Sequence, residues 1–119
     1  MTVLANAAVA LVALLHAWFL VLEMFLWRTP FGMRTFGLSR EDAEKTAKLA
    51  ANQGLYNGFL AVGLIWGLVA VSGARSIEIF FLSCVVIAGV FGAFTAKKTI
   101  LWVQAFPAAV ALALVWFAR

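Results

Sequence analysis

Long apolar stretches separated by short polar segments dominate the sequence. Because a membrane-spanning helix needs roughly 20 consecutive apolar residues, four stretches are predicted to span a bilayer: about 4–27, 49–71, 77–96 and 99–118. A polar loop at residues 28–48 joins the first two. The pattern predicts an all-α membrane protein, a four-transmembrane-helix bundle that forms a single integral membrane domain over residues 1–119.

Composition supports the membrane class. Hydrophobic residues make up 66% of the chain and charged residues 12%, whereas soluble domains average about 45–50% and about 25%. The mean hydropathy is +1.04. The net charge of +4 comes from basic residues near the ends of the spans, so we expect no nucleic-acid partner.

The distribution of basic residues predicts the orientation, because loops rich in lysine and arginine stay in the cytoplasm. Seven basic residues lie in the first and third loops: Arg28, Arg34, Arg40, Lys45, Lys48, Lys97 and Lys98. The other side has Arg75 and Arg119. The count predicts both termini on the non-cytoplasmic side and the loop 28–48 in the cytoplasm.

Two local signals refine the helices. The sequence "SRED", Ser39 to Asp42, fits a capping box, in which a serine hydroxyl and a carboxylate three residues later bind free amides at a helix start. The second long helix should therefore begin near Ser39 and enter the membrane around Lys48. Pro107 inside the last span is expected to bend it or to free a carbonyl near Val103.

Polar side chains within the predicted spans define a candidate site, because buried ionisable groups in a membrane face the bundle interior. His16 and Glu23 are seven residues apart and share one helix face. Glu23 lies about 6 Å from the cytoplasmic end of its span, counted to Trp27. The candidate intramembrane site comprises His16, Glu23, Asn52, Gln53, Tyr56, Asn57 and Gln104. By this estimate the polar residues lie in the cytoplasmic half, and the outer half is almost wholly apolar.

Glycine pairs predict close helix packing, since small residues let membrane helices approach one another. The pairs are Gly54 with Gly58, Gly63 with Gly67, and Gly89 with Gly92.

Three functions fit these residues. The first is a cytoplasm-facing site that binds or modifies a small lipophilic or anionic molecule, with Lys45, Lys48, Lys97 and Lys98 as an anion-contacting mouth. The second is a proton- or cation-coupled transporter subunit, with His16 and Glu23 in the path. The third is a structural or accessory subunit, in which membrane amides only join helices. No metal-ligand motif such as His-x-x-x-His occurs, and the sequence leaves open whether any catalysis takes place.

Three blocks carry a family resemblance: "LHAWFLVLEMFLW", "LAANQGLYNGFLAVGLIWG" and "ILWVQAFPA". In this order they resemble a family of small bacterial membrane proteins known as domain of unknown function 1304, over essentially the whole chain. The resemblance implies a four-helix integral membrane protein, which we expect in the bacterial inner (cell) membrane. It implies no activity.

A second resemblance concerns "EKTAKLAANQGL". It is similar to the start of helix two in the microsomal glutathione transferase-like (MAPEG) family, with Glu44, Lys45, Lys48 and Asn52 at matching positions. That resemblance implies a MAPEG-like homotrimer and glutathione as cofactor. Lysine replaces the family's arginine twice and Leu55 replaces its last glutamate, and lysine lacks the planar fork that binds carboxylates. We expect a homo-oligomer in either case.

Overall fold

The chain is entirely helical in a computed structural model, which describes residues 1–118. The elements in that range are α1 (Thr2–Met24), α2 (Pro30–Phe36), α3 (Arg40–Val69), α4 (Ala74–Thr95), a π-helical segment (Leu101–Ala105) and α5 (Phe106–Ala118). The predicted all-α class is confirmed. Arg119, counted in the orientation argument, lies outside the described residues.

Three helical stretches are long and apolar enough to cross a membrane: Thr2–Met24, Ala74–Thr95 and Leu101–Ala118. Their length and composition indicate membrane integration. Helix α3 is not among them, because its first part is charged and its middle carries Asn52, Gln53 and Asn57. A fourth span and the orientation of the termini stay predictions.

The surface of the chain is far more apolar than that of a soluble protein. Large apolar side chains lie on the surface along the spans, among them Val3, Leu14, Phe94 and Phe117. Within residues 1–118, four polar residues are buried along with the apolar core: His16, Glu23, Asn57 and Glu78. Extensive exposed apolar surface marks a face that contacts something other than water, and here the length of the helices indicates lipid.

Helix α3 begins where the capping signal predicts. The Ser39 hydroxyl accepts a hydrogen bond from the Asp42 N–H at 3.1 Å, which satisfies an otherwise free amide of the first turn. One turn later the exposed Lys45 and Glu41 form an ion pair at 3.0 Å. At about 1.5 Å per residue, the 30 residues of α3 extend about 45 Å.

Helix α2 and its flanking turns connect α1 to α3. Thr29 caps α2 by accepting from the Gly32 N–H at 3.1 Å, and Gly37 ends it with φ 65°, a left-handed conformation that favours glycine. Trp27 Nε1 donates to Thr46 Oγ1 at 3.0 Å. The tryptophan at the end of the first apolar stretch is thereby fixed to the polar first half of α3.

The chain divides into two compact units. Unit 2 comprises residues 15–59, and within it the end of α1 runs antiparallel to the first half of α3. A Cβ atom on Gly54 would lie 2.7 Å from Met24 Cγ, and one on Gly58 would lie 2.6 Å from Leu20 Cδ1. The predicted small face of Gly54 and Gly58 is therefore confirmed as a helix contact.

Unit 1 comprises residues 1–14 and the chain from residue 60 onward. Its core is built from Ala5, Val9, Val12, Ala13, Leu64, Leu82, Val85, Ala108, Ala111 and Val115. The other predicted glycine pairs also lie at contacts in this unit. Between α3 and α4, Gly63 lies against Phe81 and Gly67 lies against Glu78. Between α4 and the last helical stretch, Gly89 lies against Ala105 and Gly92 lies against Ile100.

The last helical stretch is irregular just before Pro107. Residues Leu101–Ala105 form a π-helix, in which the Phe106 N–H donates to the Leu101 carbonyl. Proline has no N–H, so Pro107 cannot donate a hydrogen bond to the carbonyl four residues earlier, which is that of Val103. In the wider π turn, the N–H binds the carbonyl five residues earlier instead of four. The predicted irregularity at this position is confirmed.

Candidate functional site

The buried residues of α1 follow a spacing of three and four. Val9, Val12, His16 and Glu23 lie on this stripe, and all four are buried. The spacing keeps one helix face towards neighbouring helices. The predicted shared face of His16 and Glu23 is confirmed: their side chains are 0% and 6% exposed.

Helix α3 shows the same spacing. Six of its buried positions, Ala43, Ala50, Gly54, Asn57, Ala61 and Leu64, are spaced by seven, four or three residues and so form one stripe. Asn57 is the one amide on this stripe and is 8% exposed. Every other buried position in that set is alanine, glycine or leucine, so Asn57 is a polar group in an apolar seam.

Glu23 and Asn57 meet inside unit 2. Asn57 Nδ2 donates a hydrogen bond to Glu23 Oε1 at 2.5 Å. The two residues are 34 apart in sequence, and the close approach of the two helices at Gly54 brings them together, since a Cβ there would lie 3.1 Å from Glu23 Cβ. A polar group in an apolar setting needs such a partner. The sequence prediction placed both residues in one layer but did not pair them.

The pair retains hydrogen-bonding capacity. The hydrogen bond that joins the two residues uses Oε1 of Glu23 and the amide nitrogen of Asn57. A carboxyl group has a second oxygen, and a side-chain amide has a carbonyl oxygen with two lone pairs. Glu23 Oε2 and Asn57 Oδ1 are therefore available to a hydrogen-bond donor that enters beside the pair.

His16 lies two turns deeper on the same face of α1. Its ring contacts Phe19 edge to face, with 5.2 Å between centroids. The imidazole is thus buried beside an aromatic side chain, on the face of α1 that it shares with Glu23.

Three other candidate residues are on the surface of the chain. Asn52, Gln53 and Tyr56 are exposed, and Tyr56 contacts Phe59 edge to face at 5.6 Å between centroids. The reason is rotational: the buried stripe of α3 passes through Gly54 and Asn57, and these three residues flank it. Depth in the membrane alone did not distinguish flanking positions from buried ones.

The remaining candidates are distributed over both units. Gln104 is half-buried in the π-helical segment of unit 1. Of the four lysines predicted as an anion-contacting mouth, Lys45 and Lys48 belong to unit 2 and Lys97 and Lys98 to unit 1, and all four are exposed. Lys45 already pairs with Glu41. A shared anion site for the lysines stays a prediction.

Sequence reasoning missed Glu78, which is 0% exposed near the start of α4. It packs against Gly67, where a Cβ atom would lie 2.5 Å from Glu78 Cγ. Glu78 is thus a buried carboxyl group that the predicted site did not include. The sequence did contain a signal for its burial, because Glu78 precedes Leu82, Val85 and Gly89 at the spacing of one helix face.

Metal chemistry has no visible basis in the described part of the chain. No group of three or more histidine, cysteine, aspartate or glutamate side chains in residues 1–118 is placed to hold a metal ion. Cys84 is a half-buried free thiol in α4.

Comparison with known proteins gives two matches and no function. The profile of a family described as protein of unknown function (DUF1304) matches residues 10–116. The chain is also 30% identical over 106 residues to the uncharacterized protein YpaA of Lactococcus lactis subsp. lactis (strain IL1403), covering 87% of this chain and 89% of that protein. No solved structure matches the chain significantly.

Proposed function

The chain belongs to the DUF1304 family of proteins of unknown function, and we propose that it is a membrane receptor or binding protein for a small lipophilic molecule. The ligand carries a hydrogen-bond-donor group, an amine or a hydroxyl, which binds the Glu23–Asn57 pair. The site belongs to an integral protein of the bacterial inner membrane with four spans and a cytoplasmic first loop.

One observation carries the proposal: the hydrogen bond between Asn57 and Glu23 fixes two buried side chains and leaves an oxygen of each for a further partner. A pre-organised polar pair in apolar surroundings fixes the orientation of a small ligand. Its oxygens accept hydrogen bonds, so the recognised group is a donor. This favours an amine or alcohol over the anionic ligand that the lysines alone suggest.

The position of Glu23 in α1 gives a second argument. Glu23 is the penultimate residue of α1, which ends at Met24, and the C-terminal end of a helix carries a partial negative charge. A carboxyl group there gains from a neighbouring positive charge or donor. An ammonium group in the site would interact favourably with both the carboxyl oxygen and the helix end.

A matched set of eight-carbon probes tests the proposal. Thermal unfolding of the full chain in a mild detergent should shift upward with octylamine more than with octanol, and least with octanoate. Glu23→Gln should weaken octylamine binding roughly tenfold, since a hydrogen bond to a charged group is lost. The measurement is the melting temperature against probe concentration.

Glu44→Gln is the matched control, because Glu44 is an exposed glutamate on α3. Its variant should bind octylamine as the natural chain does. Equal shifts for octylamine and octanoate would refute the donor specificity, and unchanged octylamine binding in Glu23→Gln would exclude Glu23 from the site.

Glu78 supports a second candidate function, a proton- or cation-coupled transporter. Ionisable groups inside membrane spans mark proton and ion pathways, and two carboxyl groups are buried, Glu23 in unit 2 and Glu78 in unit 1. Transport predicts proton flux in proteoliposomes that falls in both Glu23→Gln and Glu78→Gln. Flux equal to that of empty liposomes would exclude it.

A homo-oligomer is part of the proposal. Asn52 and Gln53 are exposed on α3, within the stretch proposed to enter the membrane. Amide side chains join membrane helices by hydrogen bonds, and each amide both donates and accepts. The same surface on a second copy would therefore satisfy them.

A further inference from the structure

An open apolar groove runs between α4 and α5 on the surface of unit 1. Ile79, Ser83 and Val86 line it from α4, and Ala109, Leu112 and Trp116 line it from α5. Its volume is about 380 Å³, within the range of small-molecule sites. From Ile79 to Val86 it extends about 10 Å along α4. Both walls belong to stretches long and apolar enough to span a membrane.

A cation, Arg75, lies at one end of this groove. Arg75 precedes Ile79 by four residues and so continues the α4 wall by one helical turn. Its guanidinium lies over the ring of Trp116, 4.5 Å from the centroid, and Trp116 is itself a wall residue. The groove therefore has an apolar body and a charged end.

The guanidinium retains donors for an anion. Stacking on an aromatic face uses the flat side of the group, and its N–H donors lie in the plane, where they match a phosphate in a fork geometry. Arg75 Nε is buried and has no hydrogen-bond partner among the described residues. A buried donor without a partner is costly, so an acceptor at this position would be stabilising.

We propose that the groove between α4 and α5 binds one anionic phospholipid of the surrounding bilayer. The lipid phosphate accepts hydrogen bonds from Arg75, and an acyl chain lies along Ile79, Val86 and Leu112. This occupant fits both parts of the groove, because Arg75 lies at the beginning of the helix, where a span meets the headgroup layer. The inference is independent of the Glu23–Asn57 site, which belongs to the other unit.

Native mass spectrometry of the full chain in a mild detergent tests this lipid site. With equal amounts of dioleoyl phosphatidylglycerol and dioleoyl phosphatidylcholine, the natural chain should retain the anionic lipid about tenfold more tightly, the effect expected of a charge-assisted hydrogen bond. Arg75→Gln should bring this ratio close to one. Ala113→Phe, which fills the groove at another wall position, should weaken retention of both lipids.

Two variants serve as matched controls. Ala88→Phe places the same ring on an exposed position of α4 outside the groove, and Arg40→Gln removes an exposed arginine at the start of α3. Both should retain lipid as the natural chain does.

Four outcomes would overturn the proposal. The first two concern the retention of phosphatidylglycerol relative to phosphatidylcholine: a ratio near one in the natural chain, or a ratio that Arg75→Gln leaves unchanged. The third is that Ala113→Phe retains lipid as Ala88→Phe does. The fourth is that inorganic phosphate at equal concentration displaces the lipid completely. A dimer that Ala113→Phe dissociates would instead identify a second copy as the occupant of the groove.

Discussion

Replacing Gly89 with alanine is expected to lower the free energy of unfolding by about 3 kcal/mol, at the upper end of the usual cost of overpacking. A Cβ atom at Gly89 would lie 2.7 Å from the Ala105 nitrogen and 2.9 Å from its Cα. Both are backbone atoms of the π-helical segment, and a backbone segment cannot move aside as a side-chain tip can. The variant should melt at a clearly lower temperature in detergent.

Gly92→Ala is the matched control for this substitution. Gly92 is one turn further along α4, and its Cβ atom would lie 3.1 Å from Ile100 Cγ2, a side-chain atom that can shift by a few tenths of an ångström. Its melting temperature should remain close to that of the natural chain. Equal losses in both variants would show that glycine at 89 is required for a reason other than the close backbone.

Removing the amide of Asn57 is expected to be the second large effect. Asn57→Ala takes away the hydrogen bond that Glu23 accepts and leaves a buried carboxyl group without its partner, at a cost of about 2 kcal/mol. Glu44→Ala is the control, because Glu44 is an exposed polar side chain earlier on the same helix, and surface changes stay within about 0.5 kcal/mol.

A double variant separates structure from ligand binding. Because two apolar groups can replace a buried polar pair at little cost, Glu23→Leu combined with Asn57→Ala should be more stable than Asn57→Ala alone. If the site binds a ligand, the double variant folds but no longer responds to octylamine. If the pair only joins helices, octylamine does not raise the melting temperature of the natural chain either. The result would then favour a structural or accessory subunit.

Much of the secondary structure could be predicted from local sequence. The cap at Ser39 begins α3 because its hydroxyl binds an amide only three residues away. The irregularity before Pro107 follows from the missing N–H of one residue. Both effects depend on neighbours along the chain, so no knowledge of packing was needed.

The composition of the candidate site was predicted less well. Depth along each helix correctly grouped Glu23 with Asn57, but it also admitted Asn52, Gln53 and Tyr56, which are exposed. Depth fixes position along the helix axis and leaves the direction of the side chain undetermined. Glu78 was overlooked because it lies near the end of an apolar stretch, where a charged residue is commonly assigned to the boundary.

The sequence by itself determined that this protein is helical, that it contains stretches apolar enough to span a membrane, and that His16 and Glu23 share a face. Apolar composition and the helical repeat fix these properties. Only the tertiary structure decided that Asn57 rather than Gln53 meets Glu23. The rotation of α3 about its own axis depends on which small residue, here Gly54, admits the neighbouring helix, and that choice is made by packing between segments distant in sequence.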